Sequence, residues 1–243
     1  MREYRAEDAV VAFVDILGAS AEMKTDPQKA LNVVHNAYDD ALAIYNTVFK
    51  DHRSEVRIRI FSDNIVLSCS CERLGLEKAF HSIVILSALI QEKLLHYSVL
   101  SRGGIARGDF FSDEIMIWGN ALMKAYNLES SIAIYPRIII DPNLISDIHY
   151  FTRKMKGEKD SIFSWIAQDQ DGLCYVDYFN DFSLMKEPSL LLLVFMEDNE
   201  QRKINNLGNL KVVQKIIWHA NYLSRKLDEL SQKQETEKNT CKV

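Results

Sequence analysis

The chain has 243 residues, 47% of them hydrophobic and 26% charged, with a formal net charge of −5. That length supports one α/β domain with a full core and room for a smaller addition, and the balance is that of an ordinary globular protein. An acidic chain without a basic run lacks the footprint of a duplex nucleic-acid binder, no stretch reaches the roughly 18 apolar residues of a membrane span, and residues 1–8 lack the apolar segment of a secretory signal.

Val10–Val14 is a continuous apolar run ending in Asp15-Ile-Leu-Gly18, which reads as a buried strand leading to a turn. Pro27 then opens a helix over Lys29–Phe49, with Leu31, Val34, Ala37, Ala41, Ile44, Tyr45 and Val48 at helical spacing. From Val56 the pattern alternates and breaks at Ser62-Asp63-Asn64, which predicts a hairpin with Asp63 at its tip. Leu76–Tyr97 predicts a second long helix, and Ser101–Phe111 a strand whose Gly103, Gly104 and Gly108 mark close approach. Ile115–Trp118 reads as a short strand, Gly119–Ser130 as a helix and Pro136–Asp141 as a strand. The order βαββαββαβ predicts an α/β (α+β) sheet layered with helices.

Beyond Asp141 the pattern weakens. Asn143–Lys154 reads as a helix, and Phe163–Ile166 and Leu173–Phe179 as core strands. Leu190–Met196 is an apolar run, and Asn205–Leu230 is a long amphipathic helix. The polar tail from Ser231 is expected to be disordered. Cys69, Cys71, Cys174 and Cys241 suit neither a disulfide framework nor a zinc knuckle and read as reduced thiols in a cytoplasmic protein. The six histidines form no zinc-binding pair, and no phosphate-binding lysine loop is present.

Two carboxylates stand out. Asp15 follows a fully apolar strand and Asp63 sits at a hairpin tip, where a charge is costly unless it meets water, a partner or a metal. If the hairpin pairs beside the first strand, both converge at one end of the sheet. Two hard oxygen donors there suit Mg²⁺ or Mn²⁺ bound together with phosphates. Turn-favouring aspartates alone would also produce the pair.

The wider pattern goes further. Phe13-Val-Asp15-Ile-Leu-Gly18, Phe61-Ser-Asp63-Asn, Arg102-Gly-Gly-Ile-Ala-Arg-Gly108 and Trp118-Gly119 followed by Ala125-Tyr-Asn-Leu-Glu-Ser130 occur in order. Together they resemble the motifs of class III adenylate and guanylate cyclases. The resemblance covers roughly Val10–Asp141. It implies a catalytic domain over residues 1–180, a C-terminal helical extension over 181–230 and the tail over 231–243. It also implies two-metal catalysis in a homodimer with interfacial sites, with Asp15, Asp63 and the Ile16 carbonyl as ligands of two divalent ions. Phe13 belongs to the same pocket, and Leu17, Gly18 and Ala19 would offer backbone to the phosphates.

Departures from the family pattern are equally informative. The base-reading positions fall on Arg59 and Met116, which do not form an adenine-reading pair. By alternation Arg59, Phe61 and Asp63 share a strand face, so Arg59 is expected to enter the pocket; a surface strand arginine is the plainer reading. The family's transition-state asparagine and arginine align with Met123 and Asn127, which leaves Arg107, Lys124 and Arg137 as replacement cations. Tyr126 is a candidate to stack on a base or ribose. Arg-Gly-Gly-Ile-Ala and Tyr135-Pro-Arg-Ile are similar to the pyrimidine cyclases of bacterial Pycsar anti-phage systems, which make cyclic CMP or cyclic UMP to activate a separate effector. A purine cyclase and a degenerate nucleotide-binding regulatory domain are the alternatives.

Overall fold

The computed structural model describes residues 3–18, 25–48, 55–154, 163–181 and 187–240. Contacts divide the chain into two units, Met1–Tyr178 and Phe179–Val243.

In the first unit the apolar run extends to a ten-residue strand, β1 (Glu7–Ile16). Helix α1 (Pro27–Val48) follows, then the hairpin of β2 (Val56–Phe61) and β3 (Asn64–Ser70). A short turn of helix, α2 (Cys71–Leu74), leads through Gly75 into α3 (Leu76–His96). Strand β4 (Ser101–Ser112) pairs with the two-residue β5 (Ile117–Trp118), and α4 (Asn120–Asn127) runs into a π-helical turn, Leu128–Ile132. Strand β6 (Ile138–Ile140), helix α5 (Pro142–Lys154), a 3₁₀ turn (Phe163–Trp165), β7 (Ile166–Gln168) and β8 (Cys174–Val176) complete it.

Among the described residues eight strands form one sheet in the order β2-β3-β1-β4-β6-β8-β7, with β5 on β4. Strand β1 is central and antiparallel to both β3 and β4, whereas β4 and β6 are parallel. The fold class is therefore the mixed α/β sheet covered by helices that the element order predicts. Side-chain alternation divides β1 between two cores. Val10, Ala12, Val14 and Ile16 point one way. Ala9, Val11 and Phe13 point the other, into the cluster that Ala121 and Ala125 of α4 cover. Helix α3 is buried along most of its length and contacts β1 and β3.

Several boundaries differ from the sequence reading. Phe163–Trp165 turns before its strand begins at Ile166, because three consecutive residues close a 3₁₀ turn that carries Trp165 inward. Helix α4 stops at Asn127 and continues as the π-turn, closed by Ala133 N–H donating to the Leu128 carbonyl at 2.8 Å. The alternation of β2 ends at Phe61, because Ser62 takes a left-handed φ of 56°. Asp63 thus lies on the turn and owes its orientation to that turn, not to strand periodicity with Arg59.

The second unit contains α6 (Pro188–Asn205) and α7 (Leu210–Thr240). Pro188 at the first turn and the Leu190–Met196 run make α6 a helix. Phe195, Phe179 and Tyr222 stack in its core, and the Phe179 N–H donates to Tyr222 Oη at 3.1 Å. His219 is fully buried 2.9 Å from the Asn199 amide, and burial pushes its pKa down to about 3. Helix α7 continues through Thr240, past Ser231 where polar composition alone suggested a disordered tail. No described helix is long and apolar enough to cross a membrane.

Candidate active site

The register of the sheet brings the two sequence-nominated aspartates together. Asp15 lies opposite Asn64 on β3 and opposite Arg102 on β4. The next residue, Ile16, donates its N–H to the Asp63 carbonyl at 3.0 Å, so Asp63 sits beside the end of β1. Leu17 N–H donates to the Leu100 carbonyl at 2.8 Å, and Gly18 turns the chain with φ 85°, a left-handed conformation that favours glycine. Ala19 lies outside the described residues. Asp63 Oδ1 accepts from Asn64 Nδ2 at 3.2 Å.

Arg102 was not singled out by the sequence reading, yet it organises this end of the sheet. Its Nε donates to Asp15 Oδ2 at 3.2 Å and its Nη1 to the Ala133 carbonyl at 3.3 Å. Its Nη2 lies 2.6 Å from Glu129 Oε1. Glu129 is only 3% exposed. The π-turn delivers both Glu129 and Ala133 to this arginine. It can do so because Gly104 lets α4 sit hard on β4: a Cβ there would stand 2.3 Å from the Ala125 carbonyl oxygen and 2.5 Å from Leu128 Cβ. The sequence does not fix this partner, because the β1–β4 register sets Arg102 against Asp15.

The two base-reading candidates also meet. Arg59 Nη2 donates to the Asp113 carbonyl at 2.8 Å, and the Asp113 carboxylate accepts the Ile115 and Met116 amides at 2.8 Å each. Those amides hold the Asp113 carboxyl below its usual range. Arg59 and Met116 are thus linked through one turn, and both are exposed. Phe13 is covered edge-on by Tyr126 at 5.4 Å and flanked by Phe61 at 6.4 Å. Tyr126 and Phe61 remain about half exposed.

Within one protomer the candidate replacement cations have other partners. Arg107 lies opposite Val10 on the other sheet face from Asp15, five residues along β4 from Arg102, or about 16 Å. Its guanidinium donates to Asp8 at 2.8–3.1 Å and to Asp147 at 3.0 Å. Lys124 Nζ donates to the Arg107 carbonyl at 3.2 Å and lines the same cleft of about 210 Å³ with Asp8, Asp141 and Asp147. Arg137 is 1% exposed, ion-paired with Asp169 and Asp171 and set over the Tyr135 ring. That ion pair holds the Asp171 carboxyl low, and the arginine fastens the β7–β8 turn to the start of β6. A nearly inaccessible guanidinium with two carboxylate partners is a structural group, which corrects its nomination as a phosphate-facing cation. Arg107, 31% exposed, has Asp8 and Asp147 as its partners.

The donors fit a hard divalent cation in type. Among the described residues no cluster of three or more His, Cys, Asp or Glu could hold a metal. Asp15 and Asp63 are two carboxylates, and the remaining ligands would be backbone, water and phosphate oxygens, as Mg²⁺ commonly takes them. The free thiols are remote in chemistry: burial pushes Cys69 and Cys71 up to about 12, so both stay protonated.

No family model matches the chain, and no curated protein matches it. Among solved structures it is similar to the adenylyl cyclase CyaB from P. aeruginosa, at 18% identity over 72% of this chain and 95% of that one, with a TM-score of 0.49. It is also similar to the monomeric guanylyl cyclase domain of the RhoGC fusion protein from the aquatic fungus Blastocladiella emersonii, at 14% identity over 71% and 96%, with a TM-score of 0.45. A third is the adenylate/guanylate cyclase/hydrolase from Silicibacter pomeroyi, at 15% identity over 71% and 96%, with a TM-score of 0.40.

Proposed function

We propose that the chain is a nucleotide cyclase that converts a pyrimidine nucleoside triphosphate, CTP or UTP, to its 3′,5′-cyclic monophosphate and pyrophosphate. It acts as a cytoplasmic homodimer, and its product activates a separate effector in anti-phage defence. The observation that carries this reading is the meeting of Asp15 and Asp63 on neighbouring segments, tied by the 3.0 Å hydrogen bond from Ile16 to Asp63. With the Ile16 carbonyl they offer hard oxygen donors for two Mn²⁺ or Mg²⁺ ions, which when bound supply charge neutralisation at the phosphates and a more acidic ribose hydroxyl.

The chain's own residues hold the substrate. Asp15 and Asp63 would hold the divalent ions that meet the triphosphate, and the Leu17-Gly18 turn, continuing into Ala19, would give backbone to the phosphates. Arg59 donates to a pyrimidine carbonyl, its planar fork narrowing the space left for a base. Met116, linked to it through Asp113, offers no strong acceptor to an adenine amino group. Tyr126 and Phe61 give an aromatic surface on the α4 side of the sheet. With Met123, these exposed apolar groups support a two-fold interface that pairs one protomer's base-reading side with its partner's carboxylates.

The test is incubation of the purified protein with each of the four nucleoside triphosphates and Mn²⁺, with products identified by mass spectrometry. Cyclic CMP or cyclic UMP is expected. A purine preference overturns the pyrimidine assignment, and no cyclic product from any substrate leaves a nucleotide-binding regulatory domain. Arg59→Lys should lower pyrimidine preference by one to two decades in kcat/KM, about 1–3 kcal/mol for a lost base hydrogen bond; unchanged ratios would remove Arg59 from base selection alone. A fully active monomer by analytical ultracentrifugation would rule out shared sites.

A further inference from the structure

We infer that Glu129, acting through Arg102, sets the affinity of the Asp15–Asp63 pair for its divalent cation; the inference rests on the metal reading just given. Arg102 holds one oxygen of Asp15 at 3.2 Å while its Nη2 lies 2.6 Å from Glu129. A guanidinium this close to a metal carboxylate has two opposed effects. It orients the carboxylate, and its charge competes with the incoming cation for the same oxygen.

Glu129 resolves that opposition. Two carboxylates, Asp15 and Glu129, contact this one guanidinium, an excess of negative charge that a divalent cation offsets. Glu129 is buried and Asp15 is partly exposed, so the arginine's charge is neutralised from behind while the open side of Asp15 faces solvent. The Ala133 carbonyl takes a third donor of the same group at 3.3 Å, which pins the plane of the guanidinium. Both acceptors come from the π-turn, an insertion often found at functional sites. Glu129 and Arg102 are positioning residues: they act on the cation through Asp15.

The experiment uses the full chain and Mn²⁺ alone, with bound ion read from the loss of the free-ion electron paramagnetic resonance signal. Glu129→Gln leaves the Arg102 charge to Asp15 and should raise the Mn²⁺ Kd about tenfold or more, the usual scale for groups that support a metal ligand. Adding Arg102→Met removes the uncompensated charge, and the double variant should return to within about threefold of wild type. A wild-type Kd in a folded Glu129→Gln protein, even one with a lowered Tm, overturns the inference, as does a double variant no tighter than the single. Should Glu129→Gln fail to fold, Glu129→Asp keeps the charge but shortens its reach: a Kd raised severalfold supports the inference and an unchanged Kd overturns it. Asp15→Asn and Asp63→Asn separately test the underlying site. If either binds Mn²⁺ like wild type, or wild type binds none, the metal reading itself fails and takes the inference with it.

Discussion

The β1–β4 ladder carries an arginine–carboxylate cluster at each end, and the two clusters differ in what surrounds them. At one end Arg102 meets Asp15 on the α4 face, with Glu129 buried behind it and Asp63 beside it. At the other, Arg107 meets Asp8 and Asp147 on the opposite face, with side chains 33% and 49% exposed. The second cluster is an ordinary surface arrangement in which water shares the charges. Arg107 gains from it, its pKa raised first by the Asp8 hydrogen bond. The first has a buried charge, Glu129. Equal numbers of ion pairs thus mean different things: burial, rather than the pairs themselves, distinguishes the end of the sheet proposed to take a cation.

The largest expected effect separates the ends by activity. Asp15→Ala and Asp63→Ala should each lower turnover by roughly a thousandfold, about 4 kcal/mol of transition-state stabilisation, with folding retained by circular dichroism. Asp8→Ala and Asp147→Ala should leave kcat within about twofold. Near-wild-type turnover in either of the first pair, or loss in both of the second, would reverse the assignment of the ends.

The next effect is on stability. Arg102→Met leaves the buried Glu129 charge without its guanidinium and should cost about 3–5 kcal/mol in denaturant unfolding. A cost below about 1 kcal/mol would mean that water reaches Glu129 and that the two clusters are alike.

How far the sequence exposes this contrast depends on the element. Asp15 was legible because an apolar run ends on it, and Asp63 because the alternation breaks there. The order of elements along residues 10–141 followed from periodicity. Arg137 was misread because sequence shows a cation near a motif but not the distant carboxylates, Asp169 and Asp171, that claim it. Arg102 and Glu129 were missed because their pairing depends on the π-turn. One inserted residue within a helical pattern leaves no periodic signature, while it turns Glu129 inward.

A smaller effect tests how α4 holds the first cluster in place. Along the same contact a Cβ on Gly104 would meet the Ala125 carbonyl at 2.3 Å, whereas on Gly108 it would meet the Ala121 nitrogen at 3.3 Å. Gly104→Ala should therefore destabilise the fold by about 2–3 kcal/mol, because backbone must move, and should raise the Mn²⁺ Kd as the π-turn shifts. Gly108→Ala should cost under about 1 kcal/mol. Equal costs, measured by urea unfolding, would show that the helix is not pinned at Gly104.

The smallest effect is the sharpest check on the comparison. Arg107 makes more hydrogen bonds to carboxylate than Arg102 does, three to Asp8 and one to Asp147. If ion-pair number governed stability, Arg107→Met would be the more damaging of the two arginine substitutions. The physical expectation is the reverse. Asp8 and Asp147 are open enough to regain water when the guanidinium goes, and the apolar part of methionine keeps the packing that the arginine stem provides. The loss is then the modest net value of a screened pair, about 1 kcal/mol or less, and it should shrink further in high salt. Turnover and Mn²⁺ affinity should stay within about twofold of wild type, because the substitution lies on the other face of the sheet from Asp15. A cost for Arg107→Met equal to that of Arg102→Met, or a fall in turnover at unchanged stability, would show that the Asp8 end takes part in the chemistry.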